Sequence, residues 1–393
     1  MSPKATKWLR RLCLVLTMLA IFLIPLRFYP PARHPIDAAL ILQALFAGED
    51  AAWLKIWMPT TRRLPADSEG VKLDLYLPGD MTNPPGAVRG CILLAHGMTN
   101  LGRRDPRLTA FARNLARLGF AVGVPELPGM RQFRVDRADT GRISKSFLWM
   151  EKKFFRPQKA CGLFAFSLAT GPAMMAAARP ELKGRTRYFI GLGAYYDLKA
   201  VLRYLTTGGR DAEPAFPGGP PVWVGKWLFL RYNVGILGFG RYREEIERIV
   251  QAKIVDESSD VSFFVDRLPG KFKRLLALIE NRDPRRFDVL FGAQPRSMRA
   301  ILEGWSLRSM VPKTRMPIFL LHGRSDPFVP PSESVRLALE ARRRGPGTGG
   351  VYLMVAERMS HVDPEGGSRW GLNLEDVRLL GFVSRVLTVM EGS

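Results

Sequence analysis

The sequence predicts an α/β chain: a doubly wound, mostly parallel sheet with an inserted helical cap and an N-terminal membrane anchor helix. Three observations predict it. Continuous apolar runs of strand length alternate with helical stretches, one interval between two such runs is far too long for a crossover, and a basic segment leads into an apolar run at the start of the chain.

The start of the chain is read first. Lys4, Lys7, Arg10 and Arg11 precede the run Leu12–Leu26, in which Thr17 is the interruption, and Arg27, Phe28 and Tyr29 follow. A positive flank before an apolar core marks a secretory signal or a signal anchor. The run is short for a spanning helix, which needs roughly 20 residues, but Trp8 and the Phe28-Tyr29 pair extend it as interfacial anchors. No small-x-small cleavage pattern follows, which favours an uncleaved anchor over a removed signal or a docked helix. The basic flank would stay cytoplasmic, placing the rest of the chain outside a bacterial inner membrane.

An amphipathic helix is expected over Ile36–Phe46. Val71–Leu77 alternates apolar and charged residues as a half-exposed antiparallel strand does, and Asp67 to Gly70 signal a turn before it. Cys91–Ala95 then opens a series of strands buried on both faces. Pro106–Leu118 has apolar residues at helical spacing and ends at Gly119. Further buried strands are expected at Phe120–Val124, Gly162–Phe166, Tyr188–Leu192 and Ile318–Leu321, with a last one at Tyr352–Val355. About 125 residues separate the fourth and fifth of these strands, whereas a crossover needs roughly a dozen. The surplus carries helical patterns at Tyr242–Ala252 and Lys271–Asn281. The expected organisation is an anchor at 1–30, a linker helix and antiparallel strands at 31–87, a first core part at 88–198, a helical cap at 199–315 and a second core part at 316–393.

Composition excludes more than it identifies. Lys plus Arg number 59 against 36 Asp plus Glu, a formal charge of +23. The excess is spread along the chain without a basic tract or a nucleic-acid module, so no nucleic-acid partner is expected. An anionic membrane surface is the better use of such charge. Cys13, Cys91 and Cys161 form no paired framework and are read as small core residues. With no CxxC and no His cluster of ligand spacing, no metal and no cofactor are expected.

The candidate chemistry lies at strand ends. Ala165-Phe166-Ser167-Leu168-Ala169 joins a strand directly to a helix, a turn that needs small neighbours around an exposed Ser. Here both positions usually held by Gly are Ala. Leu321-His322-Gly323-Arg324-Ser325-Asp326-Pro327 places an Asp just past a strand end, and His361 follows the last strand. The order Ser, Asp, His makes Ser167 a candidate nucleophile, His361 its base and Asp326 the group that orients the imidazole. Ala95-His96-Gly97-Met98 ends the first buried strand in a Gly turn, and the Met98 and Leu168 N–H groups are the candidate oxyanion donors. His96 is read as a brace of that loop, His322 as a strand-end structural residue and His34 as juxtamembrane.

On these residues the chain resembles the α/β-hydrolase superfamily, and within it the bacterial serine esterases, lipases and acyl-peptidases. The resemblance covers about Cys91 to Val389 apart from the cap. It implies attack of Ser167 on an acyl carbonyl, and a Ser at this position argues against dehalogenases and epoxide hydrolases. With an anchor on the same chain, a small-molecule or lipid-like acyl ester is the expected substrate. An acyltransferase, a peptidase or amidase, and a non-catalytic membrane-tethered interaction protein remain alternatives. The apolar stretch Val222–Leu230 either lines an acyl pocket, touches the bilayer, or packs in the cap's own core.

Overall fold

The computed structural model describes residues 29–47, 61–79, 88–134, 136–155, 157, 159–209, 219–361 and 373–392. The expected anchor Leu12–Leu26 lies outside them, as does Cys13. Among the described residues no helix is long and apolar enough to cross a membrane.

The chain begins with helix α1 (Pro30–Ala47), longer at both ends than the expected linker helix, then forms strands β1 (Thr61–Ser68) and β2 (Val71–Pro78). These make an antiparallel hairpin in register Ser68↔Val71. Its two-residue turn has positive φ at both Glu69 and Gly70, the geometry that matches the twist of paired strands. Strand β3 (Cys91–Ala95), helix α2 (Pro106–Arg117), strand β4 (Ala121–Pro125), helix α3 (Arg137–Phe154), strand β5 (Cys161–Phe166), helix α4 (Thr170–Ala177) and strand β6 (Phe189–Leu192) follow. Helix α2 starts where Asp105 accepts from the Arg107 N–H, with Pro106 behind it, and it stops before Gly119 at φ 100°.

The sheet has eight strands in the order β1-β2-β4-β3-β5-β6-β7-β8, with β7 at Ile318–Gly323 and β8 at Val351–Ala356. Strands β1 and β2 are antiparallel and the rest run parallel. One face packs on α1, α2 and the C-terminal helix. The other packs on α3, α4 and a helix after β7, Pro331–Arg342. Between β6 and β7 the chain forms a helical insertion, including α5 (Leu198–Thr207), α6 (Val224–Asn233), α7 (Arg243–Val255), α8 (Gly270–Ile279) and α9 (Arg296–Glu303). The helix after β7 is α10, and α11 is Leu374–Glu391.

Two expectations are corrected. Strand β2 is not half-exposed: only Lys72 reaches solvent fully, because helices cover its second face. Its buried Asp74 is neutralised by Arg63 and Arg103. The second correction concerns the cysteines. Cys91 and Cys161 are disulfide-bonded across adjacent parallel strands, 70 residues apart in sequence with Cα atoms 4.5 Å apart. Strand register places them opposite one another, and no sequence spacing carries that information.

Helix α1 is held to the core by charge as well as by apolar packing. Arg33 donates to Glu391 at 2.6 Å, His34 contacts the same carboxylate at 2.5 Å, and Arg89 bonds to both Glu391 and Asp37. His34 is therefore a buried clasp between α1 and α11. Burial alone would raise the Glu391 pKa, but the three basic partners hold it down at about 2, from an ordinary 4.5. Its contribution to stability is thus complete above pH 4.5 and lost as pH falls towards 2. We expect thermal melts of wild type to fall faster than those of Glu391→Gln across this window. At neutral pH the substitution should cost about 1–2 kcal/mol, a figure discounted for partial solvation.

Candidate active site

Strand β5 passes straight into a one-turn 3-10 helix, Ser167–Ala169, and then into α4. That reversal requires a left-handed backbone at its apex, and Ser167 has φ 52°. An L-residue there is strained by roughly 1–2 kcal/mol. The turn is accommodated because Ala165 and Ala169, the small flanking residues, are both fully buried. Ala suffices where Gly is usual. Gly97 on the neighbouring loop is a tight position, where a Cβ would lie 3.2 Å from the Phe166 carbonyl and 3.4 Å from the Ser167 Cβ. Close approach of the β3 loop to the elbow depends on that missing side chain.

The three residues named from the sequence meet here. His361 Nε2 lies 2.6 Å from Ser167 Oγ, and His361 Nδ1 lies 2.6 Å from Asp326 Oδ2. Asp326 is fully buried, and its other oxygen accepts from the Phe328 and Val329 N–H groups, both at 2.9 Å. Burial would raise its pKa, yet His361 and His322 more than offset that and hold the carboxyl well below the usual carboxylate range. The base is backed by the Phe328 ring, with centroids 5.2 Å apart. Gly323 has no room for a side chain either, because a Cβ would run into the Ser360 carbonyl. The loop carrying His361 is thereby seated directly on the end of β7.

His96 and His322 separate from the triad by their hydrogen bonds. His96 Nδ1 donates to the Gly97 carbonyl at 2.9 Å and its Nε2 accepts from the Leu127 N–H at 3.3 Å. Both nitrogens are occupied, and burial pushes its pKa down, so it braces the loop as a neutral ring. His322 Nε2 faces two acceptors, the Val329 carbonyl at 2.9 Å and Asp326 Oδ2 at 3.2 Å, and therefore donates. Its Nδ1 lies 2.7 Å from Ser334 Oγ, which in turn bonds to the Ala194 carbonyl at 3.0 Å. Structural placement understates this residue, since it is a further donor to the carboxylate that holds His361.

Several supporting residues were not anticipated. Glu333 on α10 accepts from the Tyr196 and Asp197 N–H groups at 2.9 and 2.6 Å. With Ser334 it ties the β6 loop, whose Gly193 sits behind His361, to the β7 loop. Tyr204 on α5 donates to the Asp326 carbonyl at 3.0 Å, a direct link from the insertion to the acid's backbone. The start of α10 at Pro330-Pro331 was a legible helix signal, but the partners of its first turn were not.

Ser167 and His361 open into a cavity of about 380 Å³ that also takes in Gly97, Met98 and Phe328. The insertion contributes none of the described residues lining it. The stretch Val222–Leu230 packs in its own core instead, with Trp227 and Leu230 fully buried. Met98 thus lines the same cavity as Ser167, and Leu168 is the second residue of the turn that Ser167 opens. Among the described residues no cluster of metal-binding side chains occurs.

No protein-family model and no curated protein matches the chain. Solved structures do show a likeness. The chain is similar to Est1E from Butyrivibrio proteoclasticus at 14% identity, covering 84% of this chain and 98% of that one, with a TM-score of 0.44. It is similar to dienelactone hydrolase from Anabaena variabilis at 15%, covering 84% and 96%, with a TM-score of 0.41. For an acylaminoacyl peptidase from Pyrococcus horikoshii the values are 11%, 86% and 42%, with a TM-score of 0.45. The sheet, the strained Ser turn after β5 and the chain order Ser, Asp, His are themselves those of an α/β-hydrolase fold.

Strain at the elbow has a measurable consequence. Ser167→Gly should be more stable than Ser167→Ala by about 1 kcal/mol, because only Gly adopts positive φ without cost. Equal melting temperatures for the two variants would show that the turn is not strained.

Proposed function

We propose that this chain is a membrane-anchored serine hydrolase, carboxylesterase- or lipase-like, cleaving a hydrophobic acyl ester through an acyl-enzyme. The observation that carries the reading is the Ser167–His361–Asp326 alignment, with both links at 2.6 Å, opening into a mainly apolar cavity. Ser167 Oγ attacks the acyl carbonyl while His361 Nε2 takes its proton. Asp326 holds the Nδ1–H tautomer and stabilises the imidazolium. The tetrahedral oxyanion is met by the N–H groups of Met98 and Leu168, each contributing about 3 kcal/mol to lowering the barrier. Collapse breaks the ester C–O bond, and His361 gives its proton to the departing alkoxide. Water, deprotonated by His361, then attacks the acyl-enzyme and releases the carboxylate, restoring Ser167.

The setting follows from two features. The basic segment Lys4 to Arg11 before Leu12–Leu26 supports an N-terminal anchor with its flank on the cytoplasmic side. A buried disulfide, Cys91–Cys161, suits an oxidising compartment and supports an extracytoplasmic catalytic domain. The helical insertion between β6 and β7 is read as a cap, here bracing the acid loop through Tyr204.

Labelling with a fluorophosphonate tests the nucleophile. Wild type should label and Ser167→Ala should not, and equal labelling of the two would end the proposal. Asp326→Asn should reduce ester turnover by roughly 10⁴-fold, through loss of the correct His361 tautomer. A panel of aryl esters, anilides and added alcohol acceptors then sorts the class of reaction. Faster anilide than ester cleavage would indicate a peptidase, and acyl transfer exceeding hydrolysis would indicate a transferase.

A further inference from the structure

The cavity at Ser167 takes none of its described lining residues from the helical insertion. It runs along the face of the sheet that α1, α2 and α11 cover, and its two ends differ in character. Near the nucleophile its polar lining is gathered: His96, Thr99, Asp105, Arg107, Ser167 and His361. Beyond that the walls are aliphatic and aromatic, reaching Leu387 and Met390 on α11. The Met390 carbonyl abuts Gly90, immediately before β3, whereas Ser167 follows the last residue of β5. The lining thus draws on the Ser167 turn at one end of the sheet and on the α11 residue packed beside the start of β3 at the other.

The sheet residues that line the cavity carry the point further. Phe164 and Phe166 belong to β5, a central strand covered by helices on both faces, and such side chains are normally buried. Both remain partly accessible, as does Leu321 on the adjacent part of the sheet. All three point into the same cavity. Space has been left between the sheet and its helical layer where close packing is the rule. A long apolar slot with one polar end, and the nucleophile at that end, matches a carbonyl head joined to a hydrocarbon tail.

We infer that this slot binds the acyl chain of the substrate, with its carbonyl at Ser167 and its methylenes lying between the sheet and helices α1, α2 and α11. The inference rests on the hydrolase reading and names its substrate class as long-chain acyl esters. Helix α1 is part of the wall through Ile41, Leu42 and Leu45. It is also the helix that directly follows the apolar N-terminal segment. The acyl site and the expected anchor thus share one continuous stretch of chain.

The full chain in detergent micelles provides the test, with two substitutions on the wall. Val383 on α11 is partly accessible and lines the slot, so Val383→Trp should fill it. The ratio of kcat/KM for p-nitrophenyl palmitate over p-nitrophenyl acetate should fall roughly tenfold or more, since each excluded methylene forfeits apolar burial. Phe164→Ala enlarges the slot and should raise that ratio. An unchanged ratio in both variants overturns the inference, as does a chain-length preference that follows the alcohol in long-chain alkyl acetates instead of the acyl group.

Binding separates this outcome from failure of the hydrolase reading. Ser167→Ala protein should bind cis-parinaric acid and lose that binding on addition of Val383→Trp, whether or not the wild type turns over any ester. Fatty-acid binding without fluorophosphonate labelling would sink the hydrolase reading and leave the slot as a lipid site. Labelling without fatty-acid binding would keep the hydrolase and sink the slot. If Val383→Trp loses its cooperative melt, Phe164→Ala decides alone: an unchanged acyl-chain ratio and unchanged fatty-acid affinity in that variant reject the proposal.

Discussion

The carboxylate of Asp326 is the constraint on which the site depends. A fully buried charge is costly unless its partners are in place, and here four donors surround it: His361, His322 and the N–H groups of Phe328 and Val329. Those donors come from three segments, the β7 strand end, the turn that follows it and the loop after β8. Satisfying one charge therefore fixes the position of the base. The same need extends outward through Ser334 to the Ala194 carbonyl and through Tyr204 to the insertion. The helical insertion gives the cavity none of its described lining residues, yet it holds the Asp326 backbone through Tyr204.

Opposing demands meet at Ser167. Ser167 must stand out from a turn of unfavourable φ, while the loop carrying Gly97 must pass close beside it. Small residues reconcile the two, and they do so at different places from those a strict Gly motif would suggest. Ala165 and Ala169 are buried in the core, whereas a side chain at Gly97 would crowd the Phe166 carbonyl. The Ser167 turn and the Gly97 loop are one packing problem.

The two helical layers of the sheet differ in purpose. On the side of α3 and α4 the core is closed, with Ile143, Phe147 and Met150 buried against Leu93, Leu163 and Ala165. On the other side the helices stand off enough to leave a slot, and charged clasps at Glu391 compensate at the end where α1 and α11 meet. Ion pairs at the slot's margin hold α1 in place without filling it.

Much of this was readable in the sequence, for physical reasons. Continuous apolar runs identify strands buried on both faces, so β3 to β8 were placed within a residue or two. A Ser at a strand-to-helix turn, an Asp after a strand-end Gly and a late His carry the triad because its chemistry constrains residue type and order. Edge strand β1 was not singled out, since its residues TRRLPADS are polar, contain Pro65 and pair on one side only. Helix α3 had a legible period, Ile143, Phe147, Met150 and Phe154, but nothing in it marked a function. What only the tertiary structure decided were relations between distant segments: the Cys91–Cys161 pairing, the Glu391 clasp, the support of Asp326 by His322, and a cavity lined by residues of α1 and α11. Local pattern determines which element forms and which residue type can do the chemistry. Register, layer packing and burial determine which of those residues meet, and no single stretch of sequence contains that.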